Sequence, residues 1–318
     1  MQRLVLTAVL VMLAGTAARA DEYVVPRTSW GEPDLQGTWA NDNEYNTPLE
    51  RPAEFEGKTL ADITPEVLSE VRKQATEKMI AQLPPGPRGP DTWWIENLDL
   101  SKRAQPWLIV DPPDGKIPAL TPEAQARRAA PQRSSFQGGK FDSPKDFGPL
   151  DRCISRGLPG SMIPVMYGNV YGIFQSPGFV TITYEIIHEA RVIPIDGGSH
   201  VGAPIQLHMG DARGHWDGDT LVVESTNFHP ISAFRGAEPS TLKLTERFKR
   251  VAQDKVAWSV TIDDPSTWTA PWTIAMPLSW EKQQSLPFEC HEGNFGLRNI
   301  LSAARANEAK EKEQAAQK

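Results

Sequence analysis

The strongest constraint on this chain is a run of period-two alternation between about residues 165 and 291. Val180, Ile182, Tyr184, Ile186 and His188 alternate with Thr181, Thr183, Glu185, Ile187 and Glu189. Successive side chains of a strand point to opposite faces, so this pattern builds a sheet with one apolar side rather than a helix. Leu242-Lys-Leu-Thr-Glu-Arg-Phe-Lys-Arg250 alternates again, Ala252-Gln-Asp-Lys255 turns it into Val256–Ile262, and Trp272 to Trp280 supplies another strand. Asp196-Gly197 and Asp217-Gly218 carry the dipeptide that favours tight hairpins, the second joining His215-Trp216 to Thr220–Glu224. Strands on short loops pair with their sequence neighbours. The expected fold is mainly β: an antiparallel meander over residues 161–295 that closes into a barrel-like sheet.

The preceding half has a different texture. Residues 21–160 are rich in proline, with Pro84-Pro85-Gly86-Pro87 and Asp111-Pro112-Pro113-Asp114-Gly115 marking turns and extended chain. Thr64-Pro65-Glu66 offers an N-cap, a proline where no N–H is missed and an acidic first turn. Val67, Val71, Ala75, Met79 and Leu83 then recur every four residues as one stripe of a helix. Thr121-Pro122-Glu123 repeats the start signal before a shorter helix, and residues 131–148 read as an exposed loop. The expectation is a Pro-rich, partly helical segment packed on the sheet, with a polar Ala/Glu/Lys-rich helix over residues 296–318.

Residues 1–20 read as a cleavable secretory signal. Arg3 supplies the positive n-region, Leu4 to Leu13 an apolar run too short for the ~20 residues of a membrane span, and Ala18-Arg19-Ala20 the small-x-small cleavage pattern. Cutting after Ala20 predicts a periplasmic or secreted protein beginning at Asp21, with no stable membrane insertion afterwards. The formal net charge of −7 includes no basic stripe, which makes nucleic acid a poor partner. Cys153 and Cys290 are the only cysteines, and in an oxidising compartment two such thiols pair. The rival reading, a reactive thiol or metal ligand, rests on His291 following Cys290 directly.

Three stretches carry a resemblance: Pro33-Asp-Leu-Gln-Gly-Thr-Trp39, Gly210-Asp-Ala-Arg-Gly-His-Trp-Asp-Gly-Asp-Thr-Leu-Val-Val-Glu224, and Cys290-His-Glu-Gly-Asn294. Together they resemble a group of exported bacterial proteins to which no activity is attached. Gly37-Thr38-Trp39 ahead of a strand meander is also similar to the Gly-x-Trp start of lipocalin-type barrels.

Chemistry is bounded first by exclusion. There is no Gly-rich phosphate loop, dinucleotide fingerprint, Gly-x-Ser-x-Gly elbow, His-Glu-x-x-His or Cys-x-x-Cys, so no nucleotide or other cofactor is expected. His188 shares a face with Ile182, Tyr184 and Ile186; an interior imidazole is a natural proton carrier, or else a histidine satisfied by a backbone carbonyl. Glu246 shares a face with Leu242, Leu244 and Phe248, where desolvation suits a general acid or base unless Arg191, Arg213 or Arg247 pairs with it. His291 in His291-Glu292-Gly293-Asn294 belongs to a polar loop at the sheet rim. His200, His208, Asp211 and His215 fall close enough in sequence to suggest a divalent-metal site, though in no recognised spacing. Ten tryptophans, with Trp258, Trp268, Trp272 and Trp280 in one region, suit either aromatic ligand walls or a β core.

Three functions follow as expectations. The first is a cofactor-independent lyase, hydratase or isomerase acting on an uncharged apolar, aromatic or sugar-like small molecule. In it His188 and Glu246 exchange protons, Tyr184 or Arg213 steadies negative charge and His291 closes the rim. The second is a non-catalytic ligand-binding protein, and the third a metal-dependent hydrolase built on His200, His208, Asp211 and His215.

Overall fold

The computed structural model describes residues 23–81, 100–127, 141–165, 167–282, 285–286 and 288–317. The expected signal segment, Leu83, Pro84-Pro85-Gly86-Pro87 and residues 131–140 of the expected loop lie outside the described residues. Ten antiparallel strands form a nearly closed barrel-shaped sheet: β1 (Gly37–Ala40), β2 (Ile109–Asp111), β3 (Val170–Ser176), β4 (Phe179–Tyr184), β5 (Ala190–Pro194), β6 (Asp211–Asp217), β7 (Thr220–Thr226), β8 (Lys243–Ala252), β9 (Lys255–Asp263) and β10 (Trp272–Trp280). Three helices accompany it among the described residues: α1 (Pro65–Ala81), α2 (Pro122–Arg127) and α3 (Gly296–Ala316). Both expected N-caps are made, since the Thr64 and Thr121 hydroxyls accept from the backbone N–H groups of Val67 and Ala124.

The strand order β5-β4-β3-β1-β10-β9-β8-β7-β6 shows two meanders joined by one short strand from far upstream. Trp39 of β1 faces Tyr171 of β3 on one side and Trp280 of β10 on the other. The period-two pattern buries one face of every long strand, and Trp39, Tyr171, Ile182, Phe248, Trp258 and Leu278 meet in a single core. The interior is thus filled with side chains. The tryptophan cluster belongs to that packing, Trp258, Trp268 and Trp272 being buried and only Trp280 largely open to solvent.

The barrel closes without a final ladder. β5 pairs only with β4, and β6 only with β7. Ile193 and Ile195 instead lie over Gly214 of β6, where a Cβ would come within 2.5 Å of Ile195 Cδ1. Asp196-Gly197 therefore does not form the expected hairpin. Antiparallel order leaves Pro194 at the bottom of the barrel and Asp211 at the top, so residues 195–210 climb back along the seam. Arg213 Nε holds the climbing segment by donating to the Ser199 carbonyl at 3.0 Å, and the Leu207 N–H donates to the Asn227 carbonyl. The hairpins at 176–179, 217–220 and 252–255 share the bottom end, and the longer connections between strands meet at the top.

Candidate active site

The top of the barrel is plugged by residues 155–163. Leu158 and Met162 are wholly buried in the core, and Asn41, just past β1, donates from Nδ2 to the Met162 carbonyl at 2.7 Å. The Tyr171 hydroxyl reaches Asn41 Oδ1 at 3.3 Å, tying the plug to the barrel wall. Gly157 makes the tightest approach: φ is +60° and a Cβ would lie 2.4 Å from the Ser232 carbonyl oxygen. Gly157→Ala should therefore lower stability by about 2–4 kcal/mol, the sum of a left-handed L-residue and a backbone clash. Urea unfolding measures this, and a loss under about 0.5 kcal/mol would mean the plug is not seated as described.

Beside the plug the chain turns from β4 to β5 through Ile187 and His188, both left-handed at φ 60° and 55°. A β-branched residue there is strained, and strain of this kind persists only where surrounding contacts hold it. The contacts are the Tyr184 N–H to Glu189 carbonyl bond at 2.9 Å and the Phe288 N–H to Glu185 carbonyl bond at 3.0 Å. This turn corrects the expected placement of His188. The strand ends at Tyr184, Ile186 still points inward, and the two left-handed residues swing His188 to the surface, its side chain 38% exposed. There its Nε2 meets Glu289 Oε1 at 3.0 Å.

Glu289 is present because Cys153 and Cys290 form a disulfide, with Cα atoms 5.6 Å apart. Cys153, itself left-handed, also receives a contact from Asn294 Nδ2 at 3.3 Å. The staple thereby pins residues 288–294 over the β4–β5 turn. Between them lies a groove of about 310 Å³ whose aromatic wall is the Tyr167–Phe288 pair, ring centroids 5.0 Å apart.

Near the β4–β5 turn, outside the groove's lining, lie several partly buried titratable groups. Burial raises the pKa of Glu189, while hydrogen bonds from Ser155 and from the Arg156 N–H at 3.4 Å partly oppose this. Burial lowers the pKa of Arg156; its Nη2 donates to the Ile163 carbonyl at 3.5 Å, and its buried Nη1 has no hydrogen-bond partner among the described residues. Glu185 and Asp42 are also raised by burial, with stabilising bonds from the Val170 N–H and from Asn169 Nδ2. Buried Tyr171, likewise raised, interacts electrostatically with Arg156, Asp42 and Glu185. Shifted carboxyls beside a partly unpaired guanidinium, next to a groove and a strained turn, form the arrangement expected of proton-transfer chemistry.

The remaining expected residues lie elsewhere. Glu246 is wholly buried inside the barrel, where Arg191 Nη1 and Nη2 donate to its carboxylate at 2.5 and 3.2 Å and Trp258 Nε1 donates at 3.1 Å. Burial works against the Arg191 charge, but the Glu246 carboxylate outweighs it and raises the pKa. Tyr184 packs its ring 5.8 Å from that guanidinium, and burial raises its hydroxyl pKa. Tyr184 and Glu246 thus share the sealed interior with Arg191 and not with His188. Arg213 belongs to another cluster: its Nη2 lies 3.5 Å from Asp211, whose other oxygen is 2.8 Å from His200 Nδ1. His208 Nδ1 instead meets the Ser232 hydroxyl at 2.6 Å, and its ring lies tilted against His229 with centroids 4.7 Å apart. Burial, then that neighbour, lowers the His208 pKa. His215 points outward, so the expected metal quartet is split three ways; no group of three or more metal-ligating side chains converges among the described residues. His291 is exposed on the rim loop, close to the groove but not lining it.

Glu189, Arg156 and Asp42 escaped sequence reasoning. Glu189 followed from nothing but its place on the polar face of an apparent strand, and Arg156 and Asp42 stand in irregular segments without periodicity. Comparison with protein-family models, with curated proteins and with solved structures returned no match.

Proposed function

We propose that the protein is an exported acid–base enzyme of the lyase, hydratase or isomerase type, acting at the plugged end of the barrel on an apolar or aromatic small molecule. The supporting observation is the partly buried Glu189 carboxylate, which accepts from the Arg156 N–H and stands three residues from Ile186 of the aromatic groove. The Cys153–Cys290 staple suits an oxidising compartment, in keeping with the leader-like residues 1–20.

In this reading the Glu189 carboxylate takes a proton from a carbon next to a substrate carbonyl. The electron pair moves onto the carbonyl oxygen, where the nearby positive charge of Arg156 steadies the developing charge. Return of the proton at another carbon isomerises the substrate; loss of a neighbouring hydroxyl with that proton, as water, dehydrates it. His188 and Glu289 hold the rim in place. Catalysis by Glu189 as base requires its ionised form. Burial raises its pKa, so the acid limb of the rate profile lies above the roughly 4.3 of a free glutamate.

The test starts with protein purified from its own host and the small molecule that accompanies it, identified by native mass spectrometry. Incubation in D₂O should place deuterium in that molecule, and Glu189→Gln should slow the exchange by about 100-fold or more. A molecule recovered unlabelled after long incubation makes this a binding protein.

A further inference from the structure

We infer that the plug of residues 155–163 is held by an acid-sensitive latch: His208 and His229 secure it while both rings are neutral and release it when either takes a proton. The latch stands whether or not the end of the barrel it closes is catalytic.

It is built where the climbing segment meets the chain leaving β7. The His229 N–H donates to the Leu207 carbonyl at 2.9 Å, which brings the rings of His208 and His229 together. His229 then opens a single tight turn over Pro230–Ser232. Its carbonyl accepts from the Ser232 N–H at 2.9 Å, and its Nδ1 accepts from the Ile231 N–H at 3.2 Å. His208 Nδ1 holds the same turn from the other side at the Ser232 hydroxyl. The plug rests on both arms. Gly157 packs against the Ser232 carbonyl and Cβ, and the buried Ser155 hydroxyl donates at 3.8 Å to the sulfur of Met209, the residue after His208.

The response to acid follows from these contacts. A ring nitrogen that accepts an N–H bond carries no proton, so neutral His229 bears its proton on Nε2. A further proton can go only to Nδ1, and an imidazolium cannot cap the turn. A proton on His208 instead sets a charge against the neighbouring ring, in a site where burial already disfavours it. The charged groups on the packed segments do not offset either proton. Asp211 is engaged by His200 and Arg213, Glu189 accepts from the plug's Arg156 N–H, and Arg156 and Arg235 are themselves cationic. The histidines in ion-pair contact are His188 and His200; no carboxylate pairs with His208 or His229 among the described residues. The latch is therefore closed above the ordinary histidine range and is lost as the pH falls through it.

The test is hydrogen exchange of the full folded protein, read peptide by peptide and corrected for the intrinsic effect of pH. From pH 7.5 to 5.0, residues 155–163 and 229–236 should lose about 30-fold in protection, the ratio for one imidazole of ordinary pKa, roughly 6.5, that must leave its contacts to be protonated. Protection of β9 should hold. His229→Asn, whose amide oxygen caps the turn without titrating, should keep the protection seen at pH 7.5 and confine the loss to threefold or less. That comparison also separates the latch from Glu189, which takes up a proton in acid as well. A change under threefold in the unaltered protein, an equal change across β9, or an undiminished loss in His229→Asn overturns the latch. Ring nitrogen spectra test it without a variant: at pH 7.5 His229 should carry its proton on Nε2, and a proton on Nδ1 removes the cap and the latch with it.

Discussion

Arg191→Met is expected to destabilise the protein by about 3–5 kcal/mol, enough to unfold many domains of ordinary stability. The variant leaves the Glu246 carboxylate sealed inside the barrel with Trp258 Nε1 as its remaining donor. A buried pair broken on one side costs far more than the pair contributes when intact, because the surviving charge has lost both water and partner. The double variant Arg191→Met, Glu246→Leu should therefore recover most of the loss, and urea melts of the three proteins measure both changes. If Arg191→Met lost under 1 kcal/mol, or the double variant lost more than the single one, the pair would not be the closed interior contact described here. A catalytic Glu246 would behave otherwise, with stability kept and turnover lost on Glu246→Gln.

Cys153→Ser is expected to cost a similar amount by a different route. The bridge joins residues 137 apart, and closing a loop of that length removes about 4–5 kcal/mol of chain entropy from the unfolded state. The folded state loses something too, because among the described residues 288–294 would be tied to the β4–β5 turn by the Phe288 N–H to Glu185 bond, the Ile186–Phe288 bridge and the His188–Glu289 contact. Strand signals in far-UV circular dichroism should survive in mild conditions while the near-UV signal from the Tyr167–Phe288 pair changes. Reductant should reproduce both effects on the unaltered protein and leave Cys153→Ser unchanged. Thiol reagents should label neither cysteine before reduction; prompt labelling of Cys290 would revive a reactive thiol in place of a staple.

The sequence made the long strands legible because their alternation is dictated by one buried face, and the 217–220 hairpin because its turn needs a positive φ that Gly218 supplies. β1 escaped because four residues hold too little periodicity to count. The turn at Ile187-His188 escaped for a sharper reason. It contains no Gly, Asn, Asp or Pro, and its residues read as a continuation of the strand, so the reversal of His188 is imposed by Phe288 and the disulfide rather than by local preference. Glu246 was placed correctly among apolar neighbours, but the choice between base and ion pair depended on which arginine faced it across the barrel. Arg191 stands 55 residues away, and only the curvature of the sheet brings the two together. Nearness along the chain misled in the opposite direction for His200, His208, Asp211 and His215, of which only His200 and Asp211 meet while His208 turns to Ser232 and His215 to solvent.

The four residues of β1 also govern the order in which the molecule can be completed. β3–β5 and β6–β10 can each assemble from neighbours in sequence, but each then presents a raw edge to solvent. Only residues 37–40 bridge those edges, pairing with residues 170–173 on one side and 279–280 on the other. Such distant contacts reward the chain late, since a long loop must be closed first. Closure therefore waits on a fragment made near the start and needed near the end, and in that interval the half-built sheets are open to pairing with one another.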